Sequence, residues 1–167
     1  MNDMKRDLSP NPVQDVADFF LVNADPESPI TAPKLQNLCA YAQAYSLAFN
    51  WVRLFDSDIE EYSNGPVVRE LLDRYQDYGQ APIPPPPGID RHSIRGRFSL
   101  EQRFPLDIVN LCYGDFSPDR LAEESRKDFP GTWAKSPTLT PIPDAKIRAC
   151  FRKHSSVVAV HEGMTAQ

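Results

Sequence analysis

The residues best suited to metal binding or nucleophilic catalysis are three histidines and three cysteines: His92, His154, His161, Cys39, Cys112 and Cys150. A zinc site needs three or four convergent ligands, usually from closely spaced pairs along the chain. Here the cysteines are far apart in sequence, and no histidine stands at a metal-ligand spacing from another ligand. The sequence therefore predicts no metal site and no bound cofactor.

One pair has the spacing for nucleophilic chemistry, because Cys150 and His154 are one helical turn apart. However, the apolar pattern places Cys150 between Ile147 and Phe151 on the inner face of a helix. His154 ends that basic helix, where a cation suits the helix dipole. We therefore interpret both residues as structural and predict no catalytic residue, with a small hydrolase or transferase using this pair as the enzyme alternative.

Two charged stretches admit either a binding or a structural role. The acidic run from Asp56 to Glu61 lacks the glycine of an EF-hand loop, which favours the solvated edge of a hairpin. The basic stretch from Arg91 to Arg103 contains one aromatic residue, Phe98, and could contact RNA or an acidic peptide. We interpret this basic stretch as a mobile, solvated loop.

The composition limits the class of protein and the kind of partner that we expect. The chain has 167 residues, of which 41% are hydrophobic and 25% charged, as expected for one globular domain. Its net charge is -5, and residues 1 to 90 are the acidic part. A nucleic-acid partner is therefore not expected, because such binding requires a concentrated basic face, and a basic protein partner fits better.

The termini and the cysteines suggest where the protein acts. No apolar stretch is long enough to cross a membrane. Three cysteines without a CxxC pair are typical of buried thiols in a reducing cytoplasm. The domain is predicted over residues 11 to 154, between a disordered leader at 1 to 10 and a flexible tail at 155 to 167.

The hydrophobic periodicity predicts a mainly α, single compact domain of about six helices with one small β-hairpin. The first helix is predicted over residues 12 to 22, and Thr31 is predicted to cap a second, longer helix. The two strands of the hairpin are predicted at residues 54 to 55 and 59 to 62, around a polar turn.

Gly65 and Pro66 are predicted to open a third helix, which Gly79 ends. The residues predicted to face inward from it are Val68, Leu71, Leu72 and Tyr75. A proline-rich linker at residues 81 to 98 follows, with polyproline II character in its first part.

Three further helices are predicted in the distal half. Ser99 to Gln102 match a capping box, although Pro105 indicates a kink or a late start in the helix that follows. Ser117 precedes a short helix, and Pro143 precedes the last one. The apolar pattern places Leu111, Cys112 and Cys150 on the inner faces of these helices.

Two stretches taken together resemble a known family. The first runs from Thr31 to Gln43, with the sequence TAPKLQNLCAYAQ, and continues after the hairpin as NGPVV at residues 64 to 68. The second runs from Leu121 through a tryptophan to Phe151. In order and spacing they resemble the Panacea domain, the SocA-like, phage-associated antitoxin family, over residues 14 to 152.

The sequence departs from the family pattern inside the first stretch. Asn37 replaces a usual lysine, Tyr62 stands where tryptophan is common, and Asn64 stands where an aromatic residue or histidine is common. We expect these departures to affect the identity of the partner more than the fold.

The resemblance implies a helical protein that neutralises a cognate protein toxin, usually encoded by the adjacent gene, by direct stoichiometric binding. The alternative it implies is a proteolytic adaptor that delivers the bound toxin to an energy-dependent protease. Binding, and not turnover, is the expected activity.

The resemblance also divides the matched residues into two groups. We interpret one group as structural: Thr31, Leu35, Leu38, Gly65, Pro66, Val67, Val68 and Tyr75. The candidates for contact with the partner are Lys34, Gln36, Gln43, Asn64 and Trp133, because the first three are expected to project from other faces of the second helix. Lys34 could instead pair with Glu60 or Glu61, and Trp133 could instead cover the core.

Overall fold

The computed structural model of the chain describes residues 8–63, 65–131, 133 and 139–153. Within those ranges the fold is mainly α-helical and includes one small antiparallel sheet, which confirms the predicted fold class. The helices are α1 (Val13–Val22), α2 (Ala32–Tyr45), α3 (Arg69–Tyr75), α4 (Arg91–Arg95), α5 (Leu100–Tyr113), α6 (Pro118–Asp128) and α7 (Asp144–Arg152). The strands are β1 (Glu60–Tyr62), β2 (Gly65–Val67) and β3 (Thr140–Pro141).

Helix α2 forms the centre of the domain. Thr31 caps it as predicted, since its Oγ1 accepts a hydrogen bond from the Lys34 backbone N–H at 3.5 Å. Helices α1, α3, α5, α6 and α7 and strand β2 all pack against α2. As a result α2 is buried on every side from Lys34 to Tyr45, and its polar side chains need partners inside the protein.

The C-terminal end of α2 changes its winding. It continues as a π-helical turn over Ser46–Asn50 and stops at Trp51, which has a left-handed backbone with φ 63° and ψ 14°. This turn packs against α7, which places the last helix beside the end of the central one.

The sheet lies one segment further along the chain than the hairpin predicted from sequence. Strand β1 pairs with β2 on one side and with β3 on the other, in the order β2-β1-β3. Residues 54 and 55 form no strand of this sheet, so that part of the prediction is wrong. Their backbone is instead held by a side chain of α2, as described below.

The prediction that Gly65 and Pro66 open a helix is also wrong. Both lie in β2, and α3 begins at Arg69. Gly65 has φ 127°, and a Cβ at this position would come within 3.3 Å of Ser125 Oγ on α6. Pro66 is tolerated because β2 is an edge strand, where its missing N–H interrupts no inner ladder.

Helix α3 ends close to where the sequence predicts. A 3₁₀ turn, Gln76–Tyr78, follows it, and Gly79 then adopts φ 56°. Leu71 and Tyr75 are buried as expected, whereas Leu72 is 37% exposed, contrary to the prediction.

The segment from Arg91 to Arg103 is not the mobile loop expected from its composition. Asp90 and Ser93 form a capping box at the start of α4. Arg95 pairs with Asp107 at 2.6 Å, and Arg97 pairs with Asp15 of α1 at 2.8 Å. These contacts hold the basic segment against α1 and α5.

Helix α5 starts at the predicted capping box and contains Pro105 without a late start. Pro105 lacks the N–H that would bind the Glu101 carbonyl, and the side-chain amide of Asn50 donates to that oxygen at 2.9 Å instead. Helices α6 and α7 begin as predicted, after Ser117 and Pro143.

The predicted inner faces of α5 and α7 are partly wrong. Cys39 of α2 is buried, as expected for a structural thiol, but Cys112 and Cys150 are exposed. Leu111 is 80% exposed. The apolar pattern of each helix is wider than the face that its neighbours cover.

Candidate protein-binding groove

A groove of about 700 Å³ lies between the first turns of α2, the β1–β2 hairpin, α3 and α6. The four elements meet here because β2 packs against both α2 and α6, while α3 packs against α2. We call this feature the α2/α6 groove. Its size lies in the range of clefts that receive a few side chains of a partner or a small ligand.

The α3 and hairpin side of the α2/α6 groove is apolar. Leu71 is 2% exposed, whereas Leu72 and Tyr62 are 37% and 36% exposed. Val67 of β2 and Ala122 of α6 continue this apolar lining. Large apolar side chains that stay exposed next to a concave surface are typical of a binding site.

The α2 side of the groove contains an unsatisfied polar group. Asn37 is 5% exposed, and its Nδ2 donates to the Pro33 carbonyl at 3.2 Å. Its Oδ1 is the one buried side-chain oxygen or nitrogen without a hydrogen-bond partner in the described part of the chain. Such an orphaned group costs about 1–3 kcal/mol.

The α6 side of the groove carries charge. Asp119 and Glu123 are exposed there, and Arg126 is half-buried. Lys127 lies 3.6 Å from Glu123, with both side chains more than 60% exposed, so solvent weakens this ion pair. The rim of the groove therefore offers carboxylates to a partner.

Gln36 and Gln43 do not project from α2 as the sequence suggested. Both are buried, and each binds the backbone of a distant segment with both ends of its amide. Gln36 Oε1 accepts from Val68 N at 2.8 Å, and its Nε2 donates to Val68 O at 3.0 Å. Gln43 Oε1 accepts from Leu54 N at 2.7 Å and Phe55 N at 3.1 Å, and its Nε2 donates to Phe55 O at 2.8 Å.

Lys34 is also buried, which corrects its assignment as a projecting contact residue. Its Nζ donates to Gly114 O at 2.7 Å, to Ser28 Oγ at 2.9 Å and to Ser28 O at 3.2 Å. Burial lowers the pKa of Lys34, while the charges of Asp115 and Asp25 act in the opposite direction. Lys34 thus ties the start of α2 to the end of α5.

The predicted alternative partner of Lys34 is occupied elsewhere. Glu60 accepts two hydrogen bonds from the guanidinium of Arg69, at 2.8 and 3.0 Å. This pair joins β1 to the start of α3. It therefore positions the apolar side of the groove instead of anchoring α2.

Trp133 is half-buried and packs against the hydrophobic core. Its indole Nε1 donates to the Arg126 carbonyl at 2.7 Å, and its backbone N–H donates to Glu61 Oε1 at 2.9 Å. It therefore covers the core next to α6. Asn64, the fifth candidate, lies outside the described residues.

The residues interpreted as structural lie on α2, β2 and α3 or directly before these elements. Leu35, Leu38, Val68 and Tyr75 are buried. Gly65 and Pro66 are buried in β2, and Val67 is half-buried at its end.

Sequence reasoning missed Leu72 and Tyr62 as the exposed apolar residues of the site. A signal was nevertheless present, because Asn37 and Tyr62 are two of the positions expected from the sequence to affect the identity of the partner. The structure brings both positions to the same groove. No local pattern identifies that proximity, since the two residues belong to different elements.

A cluster of buried tyrosines lies on another part of α2. Tyr41 Oη donates to Asp128 Oδ2 at 2.7 Å, and the hydroxyls of Tyr45 and Tyr113 lie 2.6 Å apart. Burial raises the pKa of Tyr41 and Tyr45 well above the ordinary value, and raises that of Tyr113 to about 12. These phenols join α2 to α5 and α6.

The structure describes only one member of the Cys150 and His154 pair. Cys150 is exposed on α7, while His154 lies outside the described residues. In the described ranges, no three His, Cys, Asp or Glu side chains are grouped so as to hold a metal ion.

Neither a family model, nor a curated protein, nor a solved structure matches this chain. Among the described helices, none has both the length and the apolar character needed to cross a membrane.

Proposed function

We propose that this protein is an antitoxin that neutralises a cognate protein toxin in the cytoplasm by stoichiometric binding. The observation that supports this proposal best is the α2/α6 groove. There the exposed side chains of Leu72 and Tyr62 lie in the same groove as the unsatisfied Oδ1 of Asn37. Both sequence stretches that resemble a family of antitoxins contribute residues to this groove, among them Asn37, Val67 and Ala122.

The chemistry of the groove defines the segment of the toxin that it receives. An apolar side chain of the toxin packs against Leu72 and Tyr62, and a neighbouring N–H group donates to Asn37 Oδ1. A basic side chain of the same segment lies against Asp119 and Glu123. Since Asn37 Oδ1 is shielded in the free protein, side chains of the groove shift when the toxin binds, as side chains at interfaces often do.

The departures from the family pattern support the same surface. Asn37 and Tyr62 come from different elements, yet both line the α2/α6 groove. A surface that selects one toxin among related ones needs residues that differ between family members. These two positions therefore set the identity of the toxin in our proposal.

Co-expression with the product of the adjacent gene in a heterologous bacterium tests the proposal. We expect growth arrest by the neighbour alone, rescue by this protein, and a complex that co-purifies with nanomolar affinity over an interface of about 1,600 Å². Leu72→Lys should abolish rescue and complex formation. Leu100→Lys is the matched control, because Leu100 is a helical leucine that is 75% exposed away from the groove.

Three outcomes would overturn this proposal. A harmless neighbour that does not co-purify would remove the direct pairing. Equal loss of rescue by Leu72→Lys and Leu100→Lys would remove the groove as the binding surface. Rescue without a stable complex, together with a shorter half-life of the neighbour, would replace blocking by delivery to an energy-dependent protease.

A further inference from the structure

Trp51 is exposed in a backbone conformation that few residues of its size adopt. Its φ is 63°, and 59% of the residue is accessible to solvent. A bulky residue at positive φ is a conformational outlier and stores strain. A glycine would end the π-helical turn without that strain, so the turn alone does not explain the tryptophan.

Two arginines of α7 lie against the ring of Trp51. The guanidinium carbons of Arg148 and Arg152 are 4.6 and 5.2 Å from the ring centroid, within the range of cation–π contacts. Arg148 Nε also donates to Leu47 O at 3.1 Å, and Arg152 Nη1 donates to Ala48 O at 2.8 Å. The two side chains are thereby fixed, and each guanidinium keeps further N–H donors.

Two further cations belong to the same part of the chain as these arginines. Lys146 lies on α7 with the two arginines, and Lys153 directly follows the helix. Within the described ranges, none of these four cations forms an ion pair with a carboxylate. This contrasts with Arg53 nearby, which binds both Asp58 and Asp144.

We propose that Trp51, Arg148 and Arg152, here called the Trp51 patch, form a docking site for an acidic protein segment. Carboxylates of that segment bind the remaining N–H donors of the guanidiniums, in the geometry that arginine offers to carboxylates. An apolar side chain of the segment packs on the exposed face of Trp51. The strained backbone conformation of Trp51 keeps its indole ring exposed for this contact, and this role explains why the strain is retained.

The length of the basic surface favours a protein segment over a nucleic acid. Helix α7 has 9 residues, which span roughly 14 Å. Tight nucleic-acid binding depends on many phosphate contacts, and the net charge of -5 opposes a phosphate backbone beyond this short surface. An acidic peptide needs only a few complementary contacts.

The Trp51 patch is separate from the α2/α6 groove. The groove is built at the first turns of α2. Trp51 lies at the other end of that helix, directly after its π-helical turn. Helix α2 has 14 residues and spans roughly 20 Å. The two surfaces can therefore be occupied together, and this proposal does not depend on the toxin.

Fluorescence anisotropy with a labelled peptide of Glu, Asp and Leu residues tests the proposal on the full chain. We expect saturable binding, weakened about tenfold by Arg148→Gln or Arg152→Gln, a change equal to about 1.4 kcal/mol. Lys127→Gln on α6 is the control, because it removes one exposed positive charge elsewhere. A peptide with Lys in place of the acidic residues should not bind.

Trp51→Gly separates docking from a structural role. Glycine accepts the positive φ, so this variant should remain folded, with an unchanged or higher melting temperature, and lose peptide binding. Unchanged affinity in Trp51→Gly, or in both arginine variants, would overturn the proposal. Tighter binding of an oligouridylate than of the acidic peptide would overturn it in favour of a nucleic-acid surface.

Discussion

Gln36 of the central helix binds both backbone groups of Val68, accepting from its N–H at 2.8 Å and donating to its carbonyl at 3.0 Å. The side chain thus takes the place of a neighbouring strand at the point where the chain leaves β2 and enters α3. Because the α2/α6 groove is formed at this junction, Gln36 positions the groove without being free to bind a partner.

Gln36→Leu should lower the free energy of unfolding by about 1–3 kcal/mol, because it leaves the N–H of Val68 buried without a partner. The Val68 carbonyl still accepts from the backbone N–H groups of Leu71 and Leu72 at 3.1 Å. Urea denaturation followed by circular dichroism measures the change. Gln80→Leu, at an exposed position that also lines the groove, should change stability by less than about 0.5 kcal/mol. Equal midpoints for Gln36→Leu and the wild type would contradict the role of this bond.

The Asn50 amide and Pro105 should be energetically coupled. Asn50→Ala removes the donor to the Glu101 carbonyl and should cost about 1 kcal/mol. In a Pro105→Ala background, the new N–H at position 105 can bind Glu101 O, so the same change should cost less. A double-mutant cycle measures this coupling, and additive effects would show that the proline is not what requires Asn50.

The tyrosine cluster should make the fold sensitive to alkali. The pKa values of Tyr41, Tyr45 and Tyr113 are raised in the folded protein, that of Tyr113 to about 12. The unfolded chain loses these phenolic protons near pH 10, so stability is fully present below that value and falls as the pH rises above it.

Absorbance of tyrosinate during an alkaline titration measures this effect. Tyr41, Tyr45 and Tyr113 should ionise only together with the loss of circular dichroism. Tyr45→Phe removes the 2.6 Å hydroxyl contact with Tyr113 and leaves two such tyrosines. Ionisation of Tyr41, Tyr45 and Tyr113 while the protein stays folded would show that the cluster is open to solvent.

Asn37→Leu should have opposite effects on stability and binding. It removes a buried oxygen without a partner, so the free energy of unfolding should stay equal or rise by up to about 1 kcal/mol. If the α2/α6 groove receives the toxin, the same variant should bind the toxin about tenfold more weakly. Thermal unfolding and a binding titration on the same preparation compare the two, and unchanged affinity would remove Asn37 from the interface.

Local chemistry was enough to determine where most helices begin. Thr31, Ser99 and Ser117 each accept a hydrogen bond from a backbone N–H of the first turn, as their spacing in the sequence predicted. Such caps act over three or four residues, so neighbouring sequence contains the whole interaction. The mainly α fold class follows from the same signals.

Tertiary structure decided which faces of those helices are covered. The polar residues Lys34, Gln36 and Gln43 are buried because distant backbone segments supply their partners, at positions that no local pattern indicates. Gly65 enters a strand because β1 offers a partner, and it lies so close to α6 that an added Cβ would be 3.3 Å from Ser125 Oγ. Since burial depends on contacts between residues far apart in the chain, only the assembled fold brings Asn37, Tyr62 and Leu72 into one groove.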